Sequence, residues 1–151
     1  MKLQKKFIMV AGFLCLFAMI LGGTALAAPK VIHVWHTETN PQSREAIADI
    51  VARFEALHPD IKVEAEALAW GDLEGKIMAA LAAGSPPELS HGQPITCAAL
   101  QEKGLLLPLD DVVAAIGEDN IWEQIKKVGR FGDHYYGLVH AAGTSLLIYR
   151  K

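Results

Sequence analysis

Residues 31–36, Val-Ile-His-Val-Trp-His, run straight into the polar residues Thr37, Glu38, Thr39 and Asn40 and then Pro41. The β-branched Val31, Ile32 and Val34 favour a strand. Asn40 can cap a helix, and Pro41 suits its first turn, where a missing N–H is no loss. A strand that yields to a helix within four residues points to an α/β unit. The segment is predicted to be a short buried strand delivering Trp35 and His36 to the loop at its carboxyl end, a place where a ligand can sit.

The residues before this strand read differently. Lys2, Lys5 and Lys6 precede an uninterrupted apolar run at 7–21, and 22–27 ends in Ala25-Leu26-Ala27. A positive start, a short apolar core and an Ala-x-Ala ending describe a secretory signal peptide. Its core of roughly 15 residues is short of the ~20 needed to span a bilayer. Cleavage after Ala27 and export to a periplasmic or extracellular location are expected. Without the leader, eleven of the fourteen basic residues face all seventeen acidic ones, a net charge of about −6. Nucleic-acid binding wants a basic face, so no nucleic-acid partner is expected. Cys97 is then the lone cysteine, so no internal disulfide forms and the fold relies on its core.

A strand and helix rhythm follows. Ala46, Ile47, Ile50, Val51, Phe54 and Leu57 recur at three-and-four spacing and predict an amphipathic helix that Pro59 stops near His58. Residues 61–68 alternate with period two, a strand with one wet face near the sheet edge. Trp70, Gly71 and Asp72 form a turn, with Asp72 capping a helix whose buried stripe is Leu73, Ile77, Met78 and Leu81. Residues 84–87, Gly-Ser-Pro-Pro, end it, and 88–90 make a short third strand. A helix over 95–103 follows, and Asp110 and Asp111 cap a short helix at 112–116. A helix over 120–128 places Ile121, Trp122, Ile125 and Val128 inward. Strands are expected at 135–139 and 145–149, joined by the small-residue bend 141–144.

In open α/β sheets ligands bind outside the carboxyl ends of the strands. Those exits hold Trp35, His36, Thr37 and Glu38, then Trp70, then His91, Gly92 and Gln93. Two indoles with hydroxyl, amide and acceptor groups suit a polyhydroxylated ligand, whose C–H faces pack on rings while its hydroxyls exchange hydrogen bonds. Helix starts at the same edge offer an anion an alternative site.

Residues 31–36, then 50–63 (Ile-Val-Ala-Arg-Phe-Glu-Ala-Leu-His-Pro-Asp-Ile-Lys-Val), then 76–89 (Lys-Ile-Met-Ala-Ala-Leu-Ala-Ala-Gly-Ser-Pro-Pro-Glu-Leu) together resemble the family-1 extracellular solute-binding proteins of bacterial ABC importers. These include maltose-, oligosaccharide- and glycerol-3-phosphate-binding members. The likeness continues through 102–110, 136–138 and 147–151. It implies a type II periplasmic-binding-protein-like α/β fold with a mainly parallel sheet flanked by helices. It also implies capture of a carbohydrate or glycerol-phosphate-like ligand between two lobes and delivery to an ABC permease. The matching cleft positions are those from Trp35 to Glu38, those near His91 and Gln93, and a crossing segment that includes His140 and Thr144. Val139 departs from the family pattern, where proline is common, and so does 91–93, where an acidic or aromatic residue is common. The relatives are much longer, so the expectation is residues 1–27 as signal peptide and 28–151 as an incomplete first lobe.

Three rivals stand beside this reading. His33, His36, His91, His134 and His140 suggest a metal-binding exported protein, although His33 and His36 fall on opposite faces of a strand. An enzyme is disfavoured. Residues 71–77 are one residue short of a phosphate loop and lack Ser or Thr after Lys76, and no nucleophile elbow appears. No cofactor is expected. A truncated product without a function of its own is the third.

Overall fold

The computed structural model describes residues 28–141. Its centre is strand β1 (Lys30–His36), paired in parallel on both sides, with β2 (Ile61–Ala67) to one side and β3 (Leu89–Ser90) to the other. The β1–β2 register runs from Lys30 opposite Ile61 to His36 opposite Ala67. β3 joins only the far end of β1, placing Val34 beside Leu89 and Trp35 beside Ser90. Because parallel neighbours need crossovers, helix α1 (Pro41–Leu57) connects β1 to β2, and α2 (Trp70–Ala82) connects β2 to β3. All three strands therefore end at one rim. The strand, helix, strand, helix, strand order and the edge position of β2 agree with the sequence reading.

Capping sets α1. The Asn40 Oδ1 accepts the Ser43 N–H at 2.8 Å, with Pro41 at the first helical position. Two acidic side chains guard the backbone at the sheet's weak places. Glu55 accepts the Val63 N–H at 2.8 Å on the outer edge of β2, and Glu88 accepts the His33 N–H at 2.8 Å where β3 is too short to pair. Charged groups there discourage pairing with another chain.

The core lies on the α2 face. Leu73 has no exposed surface and packs with Trp35, Ile77 and Leu100, flanked by Leu68, Ala80, Leu81 and Leu106. Leu73 and Ile77, four residues apart, share one face of α2. Leu100 comes from α3 (Pro94–Glu102), tied to α2 by a hydrogen bond from the Thr96 hydroxyl to Glu74. A second cluster follows. Helix α4 (Asp110–Ile116) buries Val113, and its Asp110 accepts the Tyr135 N–H at 3.0 Å while meeting the His134 Nδ1 at 2.7 Å. His134 and Tyr135 form β5 (His134–Tyr135), antiparallel to β4 (Arg130–Phe131).

Several expectations are corrected. β1 is buried only at its carboxyl end: Lys30, Val31 and His33 are exposed, and Ile32 and Val34 are half-buried. α1 fully buries none of its residues: Ile47 and Val51 are half-buried against β2, while Ile50 at 58% and Leu57 at 77% stay exposed. α2 begins at Trp70, not after Asp72, which lies in its first turn without a side-chain cap, and Met78 is exposed. Residues 71–77 are helical, which removes the phosphate-loop reading. α4 starts at Asp110, with Leu109 at the cap position. The helix over 120–128 breaks into a 3₁₀ turn (Glu118–Asn120) and α5 (Glu123–Lys126), and Trp122 between them is 72% exposed, not inward. The 135–139 strand ends at Tyr135 because its partner β4 has only two residues. The leader and the 145–149 strand lie outside the described residues.

With so small a core, Leu73→Ala should cost about 2–5 kcal/mol, whereas Leu57→Ala, at an exposed position near the end of α1, should stay within ~0.5 kcal/mol. Urea unfolding followed by circular dichroism measures both.

Candidate functional site at the carboxyl rim of the sheet

The parallel register brings the exits of β1 and β3 together. The His91 N–H donates to the Trp35 carbonyl at 2.8 Å, and the Leu68 N–H donates to the His36 carbonyl at 2.8 Å. The exits of all three strands are thereby tied to β1. Side chains complete the join. The Thr37 N–H donates to the His91 Nδ1 at 3.2 Å, with the Thr37 Oγ1 at 3.1 Å from the same nitrogen. The Glu38 N–H donates to the His36 Nδ1 at 3.3 Å.

His140 arrives from the far end of the described chain. Its ring stacks on His91 with centroids 4.2 Å apart, and its Nε2 lies 3.9 Å from Glu38 Oε1. A close backbone approach brings it there. The Tyr136 N–H donates to the Gly129 carbonyl at 2.8 Å, and a Cβ on Gly129 would fall 1.8 Å from the Gly137 carbonyl oxygen. A Cβ on Gly137 would in turn sit 3.1 Å from the Cys97 Sγ. Two glycines thus let the crossing segment pass against α3. The sequence reading did not single them out; the signal was present only as Gly129 and Gly137 flanking a hairpin.

The structure sorts the candidate residues. His36, Thr37, Glu38, His91 and His140 gather at one place. Trp35 turns to the opposite face, 9% exposed within the core, with the Lys76 Nζ 4.4 Å above its ring centroid. Trp70 stands at the β2 exit as the first residue of α2, about half exposed, and Gln93 is exposed at the α3 cap position without a side-chain capping bond. Thr144 lies outside the described residues. Of the other histidines, His33 faces Glu64 at 3.4 Å and His134 faces Asp110, both away from the rim cluster.

Burial lowers the pKa of His36 below its usual value, Arg44 adding to the effect and Glu38 opposing it. Burial does the same to His91, aided by His140 and His36 and again opposed by Glu38. Both rings are therefore biased to the neutral form. Cys97 is pushed up by burial, which keeps its thiol protonated and a poor nucleophile. Glu38, His91 and His140 bring ligand-type atoms within 4.8 Å of one another. An ion ~2.0–2.1 Å from two imidazole nitrogens needs their in-plane lone pairs to converge. The His91 and His140 planes differ by only 27°, and the His91 Nδ1 already accepts a backbone N–H, so the arrangement suits hydrogen bonding better than metal ligation.

Comparison with known proteins gives this rim a family. Residues 40–151 match the model of the bacterial extracellular solute-binding proteins. The chain belongs to this family. A maltotriose-binding protein of Pyrococcus abyssi is 28% identical over 126 residues, covering 81% of this chain and 26% of that protein. The maltose/maltodextrin-binding domain from Bdellovibrio bacteriovorus bound to maltotriose is 29% identical, with a TM-score of 0.50 over 60% of this chain and 22% of that one. An ABC substrate-binding protein from Listeria monocytogenes in complex with cycloalternan shares the fold at 22% identity, with a TM-score of 0.62 over 72% of this chain and 28% of that one. The chain thus spans about a quarter of the length of these relatives. The sheet matches the type II periplasmic-binding-protein architecture expected from the resemblance.

Because folding lowers the His36 and His91 pKa values, their contribution to stability is full above about pH 6.5 and is lost as pH falls through the folded-state values. Thermal melts from pH 8 to 5 should fall below pH 6.5, and the fall should flatten in His36→Gln. Gly129→Ala should shift the crossing segment and disperse the His140 resonances in a proton–nitrogen spectrum, with those of α2 unchanged.

Proposed function

We propose that this chain is part of the substrate-binding component of an ABC-type importer. It captures a carbohydrate and, as part of a longer assembly of walls, presents it to a membrane permease. The observation that carries this reading is the convergence of Thr37, Glu38, His91 and His140 at the carboxyl rim of a parallel sheet, in a chain of the solute-binding family. A carboxylate, a hydroxyl and imidazoles exchange hydrogen bonds with sugar hydroxyls, and Trp70 at the β2 exit offers an apolar face for the C–H side of a ring. The action is binding and delivery, not chemical turnover, in keeping with relatives that are binding proteins. Residues 1–27 serve as the export signal, and 28–151 form part of the first lobe.

One wall limits affinity. A site that buries most of its ligand excludes water and makes its polar contacts count, whereas the described rim leaves a ligand open on one side. Calorimetry of this chain with maltotriose should give a Kd on the order of millimolar. Chemical-shift changes should be confined to residues near 36–38, 70, 91 and 140, and Glu38→Gln with His91→Ala should remove them. Micromolar affinity, or shift changes centred elsewhere, would refute the one-walled site.

A further inference from the structure

Resting on the binding reading above, we propose that Thr37 is a positioning residue that locks His91 in its neutral Nε2–H tautomer, so that the rim offers an uncharged donor beside the Glu38 carboxylate and selects a hydroxylated, uncharged ligand over an anionic one. The donor that meets His91 has no second role. A backbone N–H only donates, and the Thr37 N–H meets the His91 Nδ1 at 3.2 Å. That nitrogen must carry a lone pair, so the single proton of the neutral ring sits on Nε2. The Thr37 hydroxyl, 3.1 Å from the same nitrogen, is free to donate to it as well. Protonating Nδ1 would point an N–H at the Thr37 N–H and break the bond, so this contact disfavours the charged ring.

The groups facing His91 act in the same direction or are too weak to reverse it. His36 from β1, with ring centroids 6.3 Å away, and His140 from the crossing segment both oppose a positive charge on His91, and only Glu38 from the β1 exit loop favours it. The Nε2 of His91 is consequently a donor and never an acceptor. Glu38 is an acceptor, 3.9 Å from the His140 Nε2 and without a cation of fixed charge in an ion pair with it among the described residues. Glu38 and His91 bring ligand-type atoms within 4.8 Å of each other, and a hydroxyl is the group that can both accept from His91 and donate to Glu38. A phosphate oxygen accepts from His91 but meets the Glu38 carboxylate as a like charge. The donors at the start of α1 offer it little compensation, because Asn40 already takes the Ser43 N–H through its side chain and the Arg44 N–H through its carbonyl.

Long-range proton–nitrogen correlation of the histidine-labelled chain at pH 7.5, without ligand, reads the tautomer directly, with His36→Gln, His91→Gln and His140→Gln used to assign the rings. The expected result is an unprotonated Nδ1 and a protonated Nε2 for His91, retained in Thr37→Val, which keeps the backbone N–H. An Nδ1–H tautomer, an averaged pair of nitrogens or an imidazolium would overturn the lock. Maltotriose and inorganic phosphate are then titrated separately. Movement of the His91 nitrogens with maltotriose and none with phosphate at equal concentration supports the selectivity, and a larger response to phosphate overturns it. The expected tautomer with no response to maltotriose would overturn the binding reading, and the selectivity with it, while leaving the lock in place.

Discussion

β1 is hydrogen-bonded on both sides to strands running in its own direction, and every group at the rim owes its position to that pairing. With His36 in register with Ala67 and Trp35 with Ser90, the three chain exits must emerge side by side. Reversing one strand would carry His91 or Trp70 to the opposite end of the sheet. The ladder is short, only two residues on the β3 side, so side chains reinforce it. Glu88 holds the β1 backbone where β3 has not begun, and the Thr37–His91 bond joins the two exits where the strands have ended.

The same strand separates core from site. Alternation sends Trp35 to the face covered by α2 and α3, where it packs on Leu73 and Leu100, and places His36 on the other. His36 is nonetheless 4% exposed, so the rim combines burial with polarity. Burial biases the His91 ring to the neutral form, and a neutral His91 does not repel the His140 ring stacked on it at 4.2 Å. The rim is therefore built to make hydrogen bonds near and above neutral pH and to weaken under acid.

Local patterns carried much of this into the sequence. The Asn40–Pro41 start of α1, the period-two run of β2, the stop near Pro59 and the Leu73/Ile77 stripe all rest on neighbours within a few residues, and the structure shows each. Three kinds of information were not local. Alternation places Trp35 and His36 on opposite faces but does not say which face a helix covers, so the indole at the strand's end was counted with the ligand-facing groups although the core takes it. The spacing of Ile121, Trp122, Ile125 and Val128 suited a helix, yet the segment has too few partners to propagate one. The meeting of His140 with His91 and Glu38 depends on Gly129 and Gly137 touching backbone to backbone, a contact with no periodic signature. The apolar stripe of α1 was legible, and Ile47 and Val51 do turn toward β2, but the exposure of Ile50 and Leu57 was not, because a pattern announces an inner face without fixing how far its cover extends.

Nuclear Overhauser contacts across the rim test the shared exit of the strands most directly. The pairing requires cross-peaks from the Thr37 amide proton to the His91 ring and from the His91 ring to the His140 ring, together with an Hα contact between β1 and β3 at Trp35 and Ser90. Their presence is the predicted result. A spectrum in which His91 instead contacts residues near Lys30, at the amino end of β1, would mean that β3 runs the other way, and the account of the site would be wrong.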